Sequence, residues 1–403
     1  MNKIYDVVVL GASGFTGKLV CEYIYTNYTQ KKIDLKWAIA GRNIKKLESV
    51  RREVADKNIP IIIADSHNME SLDNLTKSTN VVCTTVGPYA KYGTKLVESC
   101  INNNAHYCDL AGEVQWMYKI INKYHELAKK RKVKIVHTCG FDSIPSDMGV
   151  YFINQELKKN NKYAKRISMR VAGVKGKISG GTYASLNNIM RESYNDNSIY
   201  KIISNPYSLN PSDKNYGQDK KDITKITYDN ISKNWLTPFI MATVNTKVVR
   251  RSNALSSYSY GKDLLYDEAT ITGKGFKGKI MAFLNALPLI FVTAPPKSIL
   301  KKIANKIMPK PGEGPTKDQR ESGYYNLRFY IKNNNDELII AKVIGDMDPG
   351  YGSTSKMLAE SAICLAKDNL PKSNGILTPS IAMGNKLLAR LQENAGLTFK
   401  FDC

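Results

Sequence analysis

The stretch 5-YDVVVLGASGFTGKLVCEYI-24 decides the fold, because it joins an apolar strand to a helix through three glycines. Val7 to Leu10 form a continuous apolar run, which is typical of a strand buried on both faces of a parallel sheet. Helical spacing follows, and its apolar stripe consists of Leu19, Val20, Tyr23 and Ile24. The stretch therefore predicts the first strand and helix of a βαβ unit.

The glycines lie at spacing G-x-x-G-x-x-G between that strand and that helix. The first permits a tight turn, the second lets a pyrophosphate approach the backbone, and the third lets helix and strand pack closely. The helix N-terminus offers free N–H groups and the positive end of its dipole to an anion. The pattern favours dinucleotide binding over a simple turn. The predicted contacts in this loop are Gly11, Ala12, Ser13, Gly14, Phe15, Thr16 and Gly17.

The end of the second predicted strand distinguishes the two nicotinamide cofactors. An acidic residue there typically bonds the ribose hydroxyls of NAD. The segment 38-AIAGRN-43 instead places Arg42 and Asn43 at this position. A guanidinium grips a phosphate with two hydrogen bonds, so the pair predicts NADP(H). The alternative is an arginine that merely begins a solvated helix.

Further candidates follow the later strands, at the sheet edge where ligands bind in such folds. Asp65 follows the third strand, where adenine is expected, and Gly87 and Pro88 follow the fourth within 86-VGPY-89. Gly140, Phe141 and Asp142 follow the sixth strand in 139-CGFDSIPSD-147. We predict that these residues contact the cofactor. Asp142 or Ser143 alternatively caps the helix that begins near Pro145.

Tyr89 and Tyr92 are predicted to point towards the nicotinamide, because they follow the glycine–proline turn of the fourth strand. A phenol near that ring is a candidate proton donor. The alternative is that each tyrosine only packs against the ring.

The composition limits the partners of the chain. Its 403 residues allow two or three domains, and 59 basic against 36 acidic residues give a net charge of +23. This surplus favours anionic partners, but the lysines are scattered, so nucleic-acid binding is not expected. The seven cysteines form no C-x-x-C pair and the four histidines form no ligand motif with them. Reduced thiols in the cytoplasm and no metal site are therefore expected.

The apolar stretch 280-IMAFLNALPLIFVTA-294 is too short for a membrane-spanning helix and contains Asn285 and Pro288. Lysines surround it throughout the segment 274–306. That arrangement fits a helix lying on an anionic membrane surface, and it also fits a buried core helix with solvated ends. The sequence leaves both interpretations open.

The pattern along the chain predicts an α/β protein. Residues 1–150 alternate six apolar strands with helices, as in a Rossmann-type parallel sheet. Residues 151–345 are predicted to form a second, α+β domain with a substrate or oligomerisation role, and residues 346–403 helices that pack back on the first domain. The strand candidates of the second domain are 166–176, 241–252 and 324–334, and the C-terminal helices are 353–369 and 384–396.

Seven motifs in this order resemble the saccharopine dehydrogenase-like oxidoreductase family. They are 11-GASGFTGKLV-20, 37-WAIAGRN-43, 86-VGPY-89, 139-CGFDSIPSDMG-149, 310-KPGEGPT-316, 348-DPGYGST-354 and 375-GILTPSIAMG-384. The first motif differs from the glycine–serine–glycine–phenylalanine turn of authentic saccharopine reductases. The chain is more similar to the branch that contains a bacterial trans-acting enoyl reductase of lipid synthesis and an animal relative found on lipid droplets.

The resemblance implies an NADP(H)-dependent oxidoreductase that exchanges a hydride with a C=C, C=N or C=O bond of a small-molecule or lipid-linked substrate. One alternative is an NADP(H)-binding protein without turnover on anionic membranes or lipid droplets. Another is a saccharopine dehydrogenase of lysine metabolism, in which Arg170, Arg250 and Arg251 would hold carboxylates. The expected location is cytoplasmic, with peripheral attachment to a lipid surface as a further option, and a homodimer is left open.

Overall fold

A computed structural model describes residues 3–54, 58–176, 179–214, 216–219, 221–309 and 312–402. Within these residues the strands form two seven-stranded sheets. The first contains β1 (Tyr5–Leu10), β2 (Trp37–Gly41), β3 (Ile61–Ile63), β4 (Thr79–Thr84), β5 (His106–Cys108), β6 (Lys134–Val136) and β13 (Gly375–Leu377). The second contains β7 (Ala164–Lys175), β8 (Thr227–Asp229), β9 (Asn234–Thr237), β10 (Leu265–Gly273), β11 (Tyr324–Asn333), β12 (Leu338–Gly345) and β14 (Leu397–Phe401).

The α-helices alternate with the strands in the first half of the chain and cluster in the second half. They are α1 (Phe15–Ile24), α2 (Ile44–Glu53), α3 (Met69–Ser78), α4 (Tyr89–Tyr92), α5 (Thr94–Asn102), α6 (Val114–Lys130), α7 (Ile144–Lys159), α8 (Gly180–Asn195), α9 (Asn197–Ser204), α10 (Ala242–Leu255), α11 (Gly275–Thr293), α12 (Ile299–Ile307), α13 (Lys317–Glu321), α14 (Thr354–Lys367) and α15 (Pro379–Glu393). Tyr25–Thr29 and Pro349–Ser353 are π-helical turns, and Ser212–Lys214 is a 3₁₀ turn.

The first sheet is parallel throughout, in the order β13-β6-β5-β4-β1-β2-β3. Strands β1 to β6 are arranged in the order typical of dinucleotide-binding sheets. The order of the strands, not their direction, reverses at the neighbouring strands β1 and β4. Val7 to Leu10 of β1 are fully buried because helices cover both faces. The predicted α/β fold with a Rossmann-type sheet is confirmed.

The second sheet is mixed, because β7 pairs in parallel with β10 while its remaining neighbours pair antiparallel. β7 and β11 lie at its centre and pair along most of their length. The strands predicted at 166–176 and 324–334 correspond to β7 and β11. This sheet supports the elements that cover the ligand edge of the first sheet.

The strand predicted at 241–252 is wrong, because this segment lies within helix α10. Val244 and Val248 are both buried, and their spacing of four residues is typical of a helix. The alternation of apolar and polar residues in the segment had indicated a strand instead. Arg250 and Arg251 also lie inside the protein rather than on a solvated strand face.

The C-terminal segment contains more than the predicted helices. β13 extends the first sheet beside β6, and β14 pairs with β12 of the second sheet. Helix α14, predicted at 353–369, is buried along almost its whole surface between α1, α15 and the first sheet. Because residues 346–403 join both sheets, the domain boundaries at 150 and 345 stay a prediction.

Helix α11 is the segment that the sequence left undecided. By length and composition it is the one described helix that is long and apolar enough to cross a membrane. Only 17% of its most apolar 18-residue stretch is buried. Gly278, Ala282 and Val292 are its buried residues, and they pack on the body of the protein. The interpretation as a buried core helix is therefore wrong.

Candidate functional site

One large cavity of about 1240 Å³ lies at the carboxyl edge of the first sheet. Ordinary small-molecule pockets have volumes of roughly 300–1,000 Å³. One end is formed by the glycine-rich turn after β1, and the other by apolar side chains of α8 and α11. Of the predicted site residues, it is lined by Gly11, Ser13, Gly14, Phe15, Thr16, Arg42, Asp65, Gly87, Pro88, Tyr89, Tyr92, Phe141 and Asp142.

The glycine-rich turn has the close packing that a phosphate-binding loop needs. Gly11 has a φ of +88°, and a Cβ on it would lie 2.7 Å from Cγ2 of Val86. A Cβ on Gly17 would lie 2.1 Å from the carbonyl oxygen of Gly11, so only glycine allows α1 to approach β1 this closely. The side chains of Ser13 and Thr16 face the cavity at the start of α1. This end of the cavity can hold an anion on the first turn of α1.

Arg42 lies at the end of β2 beside this turn, is exposed, and lines the cavity. Its guanidinium makes no hydrogen bond or ion pair with any residue that the structure describes, so its donors are available for a phosphate. The Asp65 carboxylate lines the same wall and accepts a hydrogen bond from the His67 N–H at 2.9 Å. The residues present therefore fit an adenosine moiety that carries a 2′-phosphate.

Four predicted cofactor residues do not line the cavity. Ala12 is buried in the core, and Gly17 allows the close contact of α1 with β1. The Asn43 side chain caps α2 by accepting a hydrogen bond from the Lys46 N–H. Gly140 leaves no room for a Cβ, which would lie 2.6 Å from Leu110 Cδ2. These residues shape the site, and a direct contact with a cofactor stays a prediction for them.

The Tyr89 hydroxyl is engaged in the wall of the site. It donates to the Thr84 carbonyl at 3.2 Å and accepts from the Leu110 N–H at 3.1 Å, which joins the loops after β4 and β5. Burial raises the pKa of Tyr89 well above its usual value, with the Asp109 carboxylate adding to the shift. A proton-donor role for Tyr89 stays a prediction, but this geometry favours a positioning role.

Tyr92 lines the cavity beside the loop that follows β3. Its ring contacts the His67 ring edge-on, with centroids 5.3 Å apart, and Lys95 donates to the His67 carbonyl at 2.8 Å. His67 follows β3, the strand at the adenosine edge of the sheet. Helix α4 is a single turn that runs from β4 towards the β3–α3 loop, and a position of Tyr92 beside the nicotinamide stays a prediction.

Asp142 lines the cavity in the loop after β6. Its carboxyl group lines the cavity beside Gly112 and Gly140 and pairs with no other side chain among the described residues. Burial raises the pKa of Asp142 to about 7, and the Asp109 carboxylate contributes to the same shift. Neither Asp142 nor Ser143 caps α7 with its side chain, and Ser143 Oγ donates to Asn245 Oδ1 instead. Asp142 is therefore a carboxyl group able to hold a proton near neutral pH.

Buried carboxylates that the sequence analysis did not identify fix the loops around Asp142. Glu113 accepts hydrogen bonds from the Tyr89 and Ala90 N–H groups at 2.7 and 3.0 Å and from Ser185 Oγ at 2.9 Å. Asp109 accepts from Tyr107 Oη and lies 2.7 Å from His137 Nδ1. Isolated acidic residues carry no recognisable spacing, so only the fold reveals these roles.

Tyr351 joins the glycine-rich turn to the second sheet. Its ring packs edge-on against Phe15, with centroids 4.7 Å apart. Its hydroxyl donates to the Glu313 carbonyl at 2.7 Å and accepts from the Gly180 N–H at 3.1 Å. Segments 312–316 and 348–354 thus meet the first residue of α8 over the start of α1. The Ser179 side chain caps helix α8 by accepting a hydrogen bond from the Thr182 N–H.

The far end of the cavity is apolar. Its wall includes Leu186, Ile189 and Met190 of α8, Phe283, Ala286, Leu289 and Ile290 of α11, and Ile223, Ile226, Phe239 and Val244. Lys225 and Asp222 are the charged residues near this end among the described lining residues. The site therefore combines a polar nucleotide end with an apolar arm.

Comparisons with known proteins agree with this geometry. Residues 7–136 match the model of the saccharopine dehydrogenase NADP binding domain. With the sequence relatives described below, this match defines the chain as an NADP(H)-binding oxidoreductase. The structure of apo saccharopine dehydrogenase (L-Glu forming) from Saccharomyces cerevisiae aligns over 98% of this chain and 99% of its own, with a TM-score of 0.54 at 12% identity, which shows a shared fold.

Sequence relatives place the chain more narrowly. A Mycobacterium tuberculosis protein provisionally named a trans-acting enoyl reductase is 33% identical over 96% of this chain and 95% of its own length. A trans-acting enoyl reductase of Mycobacterium ulcerans is 31% identical over 97% of this chain and 96% of its own length. The chain belongs to the saccharopine dehydrogenase-like family, in the branch of these reductases.

Proposed function

We propose that this chain uses NADPH to reduce a polarised double bond next to a long apolar chain, with an enoyl thioester as the preferred substrate class. The observation that carries the proposal is a continuous cavity of about 1240 Å³, which runs from the nucleotide turn to an apolar arm. A nucleotide alone has no use for the arm, whereas an acyl chain would bury its methylenes there. The names of the relatives in Mycobacterium support an enoyl group over a carbonyl group.

Residues at different positions along the cavity have different proposed roles. Arg42 and the first turn of α1 would hold the phosphates, and NADPH bound there would supply a hydride. The arm formed by α8 and α11 would bind and orient the acyl chain and exclude water from the reacting bond. Asp142, in the loop after β6, would hold the proton for the α-carbon, because its partly buried carboxyl group lines the cavity and pairs with no other described side chain.

The test follows NADPH oxidation with a series of trans-2-enoyl thioesters of increasing chain length. We expect kcat/KM to rise with chain length until the arm is filled. Ala286 lines the arm, so Ala286→Phe should shorten the preferred chain. Leu284 lies on the outer face of the same helix and lines no part of the cavity, so Leu284→Phe is the matched control. No turnover with any enoyl thioester would refute the proposal.

The lysine-pathway alternative lacks the required cations. Arg170 pairs with Asp229 and Asp267, and Arg250 pairs with Asp219. Arg251 donates to the carbonyl groups of Leu209 and Ile376. All three arginines lie outside the cavity lining and act in the structure of α10 and β7. We therefore propose no multi-carboxylate substrate. Saccharopine oxidation by the purified protein would contradict this choice.

The second candidate is an NADP(H)-binding protein on a lipid surface that does not turn its cofactor over. The exposed apolar face of α11 favours it, because a soluble helix normally buries such a face. This candidate predicts NADPH binding and vesicle binding together with no NADPH oxidation. Turnover of any enoyl thioester would decide for the reductase.

A further inference from the structure

Helices α11 and α12 present an apolar surface to solvent. We call it the outer face, and it consists of Phe276, Ile280, Met281, Leu284, Leu287, Ile299, Leu300, Ile303 and Ile307. Phe276 and Ile299 are 77% and 75% exposed, which is close to full exposure for side chains of this size. Contiguous apolar surface of this kind marks an interaction site on a folded protein.

The helices are fastened flat against the body of the protein. A Cβ on Gly278 would lie 2.2 Å from the Gly273 carbonyl oxygen, so α11 touches the end of β10 directly. Ala282 and Val292 are buried on the same side. Lys301 Nζ donates to the Val292 carbonyl at 2.7 Å and ties α12 to the end of α11. A helix held along its length in this way lies in the plane of a surface and does not cross it.

The charges around the outer face select its partner. The segment 274–306 contains seven lysines and no aspartate or glutamate. Lys274, Lys277, Lys297, Lys302 and Lys306 form no ion pair with any described residue. A second copy docked by this face would bring like charges together across a twofold axis. An anionic lipid surface would satisfy both the lysines and the apolar side chains.

The cavity reaches this face. Phe283 and Ile290 line the apolar arm and are also 57% and 51% exposed. Ala286 and Leu289 lie between them in sequence and face the arm. Helix α11 is thus a wall with the cavity on its inner side and solvent on its outer side, and its edge residues belong to both.

We infer that α11 and α12 rest on an anionic lipid surface and that the apolar arm opens at the edge of α11, so that an acyl chain passes from the lipid into the cavity. Docking on lipid goes beyond the proposed function. Passage of the acyl chain rests on that function, since it assigns the arm to an acyl group.

Docking is tested by flotation with vesicles of phosphatidylcholine, alone or mixed with phosphatidylglycerol. We expect binding to the mixed vesicles and little binding to phosphatidylcholine alone. Leu284→Gln combined with Leu287→Gln should weaken binding roughly tenfold, because both side chains lie on the outer face. Ile4→Gln combined with Leu338→Gln is the matched control, since these residues are similarly exposed elsewhere. The inference would be overturned if the protein bound neither kind of vesicle or bound both equally. It would also be overturned if the protein bound an acidic protein but no vesicles.

Passage of the acyl chain is tested without catalysis. A fluorescent polyene fatty acid is loaded into the vesicles, and its transfer to the protein is followed by energy transfer from tryptophan. The rate should rise with the phosphatidylglycerol fraction and fall in the Leu284→Gln, Leu287→Gln variant, while the NADPH-induced thermal shift stays unchanged. A rate that is independent of lipid charge and of the variant would overturn passage from the lipid. Failure of the reductase alone would appear as normal transfer without NADPH oxidation.

Discussion

Single residues decide the chemistry of this site. The glycines of the first turn act by what they lack, since a Cβ at Gly11 or Gly17 would clash with neighbouring atoms. The Arg42 guanidinium and the Asp142 carboxyl group are available to a ligand, because no described side chain pairs with either of them. Tyr89 shows the converse, since its hydroxyl is already used between two loops.

Arg42→Ala should remove the preference for NADPH over NADH. A hydrogen bond to a charged group contributes about 1.5–3 kcal/mol, so affinity for NADPH should fall roughly 10- to 100-fold while affinity for NADH changes little. Thermal-shift titration with each cofactor measures both effects. Arg52→Ala, on the exposed side of α2, is the control. An unchanged preference would show that another group recognises the 2′-phosphate.

Asp142→Asn should lower kcat by about 10²- to 10⁴-fold and leave NADPH affinity unchanged, because an amide cannot give up the proton. In the wild type, burial raises the pKa of Asp142 to about 7, so the reductase rate should fall as the pH rises through 7. The pH profile of kcat on an enoyl thioester measures this dependence. A variant with the wild-type rate would contradict the assignment.

The same residue affects stability in a defined direction. The folded pKa of Asp142 lies above its usual value near 3.9, so the unfolded chain binds fewer protons between about pH 4 and pH 7. The wild-type free energy of unfolding should therefore decline as the pH rises across this window. Urea unfolding at several pH values should show a smaller decline for Asp142→Asn.

Among the elements, α11 and the π turn Pro349–Ser353 have roles that their patterns did not reveal. The apolar run of α11 fitted both a core helix and a helix on an anionic membrane surface, and only its position in the fold showed which side chains face solvent. The π turn carries Tyr351 over the start of α1 and so connects the second sheet to the nucleotide end of the cavity.

Tyr351→Phe should weaken NADPH binding about 2- to 10-fold, because the two hydrogen bonds that join 313 and 180 are lost while the ring contact with Phe15 remains. Equilibrium titration of NADPH fluorescence measures the change. Tyr324→Phe is the control, since that side chain is exposed and its hydroxyl makes no hydrogen bond with a described residue. Equal affinities for the two variants would show that the loops are held by packing alone.

At the scale of the whole molecule, the two ends of the chain form one folded unit. The buried Glu360 of α14 accepts from Tyr23 and Tyr28 of the first helical segment at 2.7 and 2.6 Å. Arg390 of α15 lies 3.1 Å from its second oxygen. β13 belongs to the first sheet, although most strands of the second sheet precede it in the sequence.

Glu360→Ala should lower the free energy of unfolding by about 3–5 kcal/mol, because it leaves buried polar partners of a charged network without their acceptor. Urea unfolding should still show one cooperative transition if the two ends fold together. Glu393→Ala, exposed on α15, is the control. Two separate transitions in the wild type would show instead that the first and second sheets unfold independently.

The sequence by itself determined the parallel sheet, the phosphate-binding turn and the choice of NADP(H), because each depends on neighbours within a few residues: a buried strand, three spaced glycines and the residue after β2. The strand prediction at 241–252 was wrong. Because α10 is buried on several sides, its sequence lacks the contrast between an apolar and a polar face that reveals a helical period. The sequence did not reveal the contacts of Tyr351 and Glu113, since their partners are distant in sequence. Only the tertiary structure decided that the apolar arm joins the nucleotide end and that α11 faces outwards. Both properties depend on which surfaces of distant segments meet, and no local pattern records that.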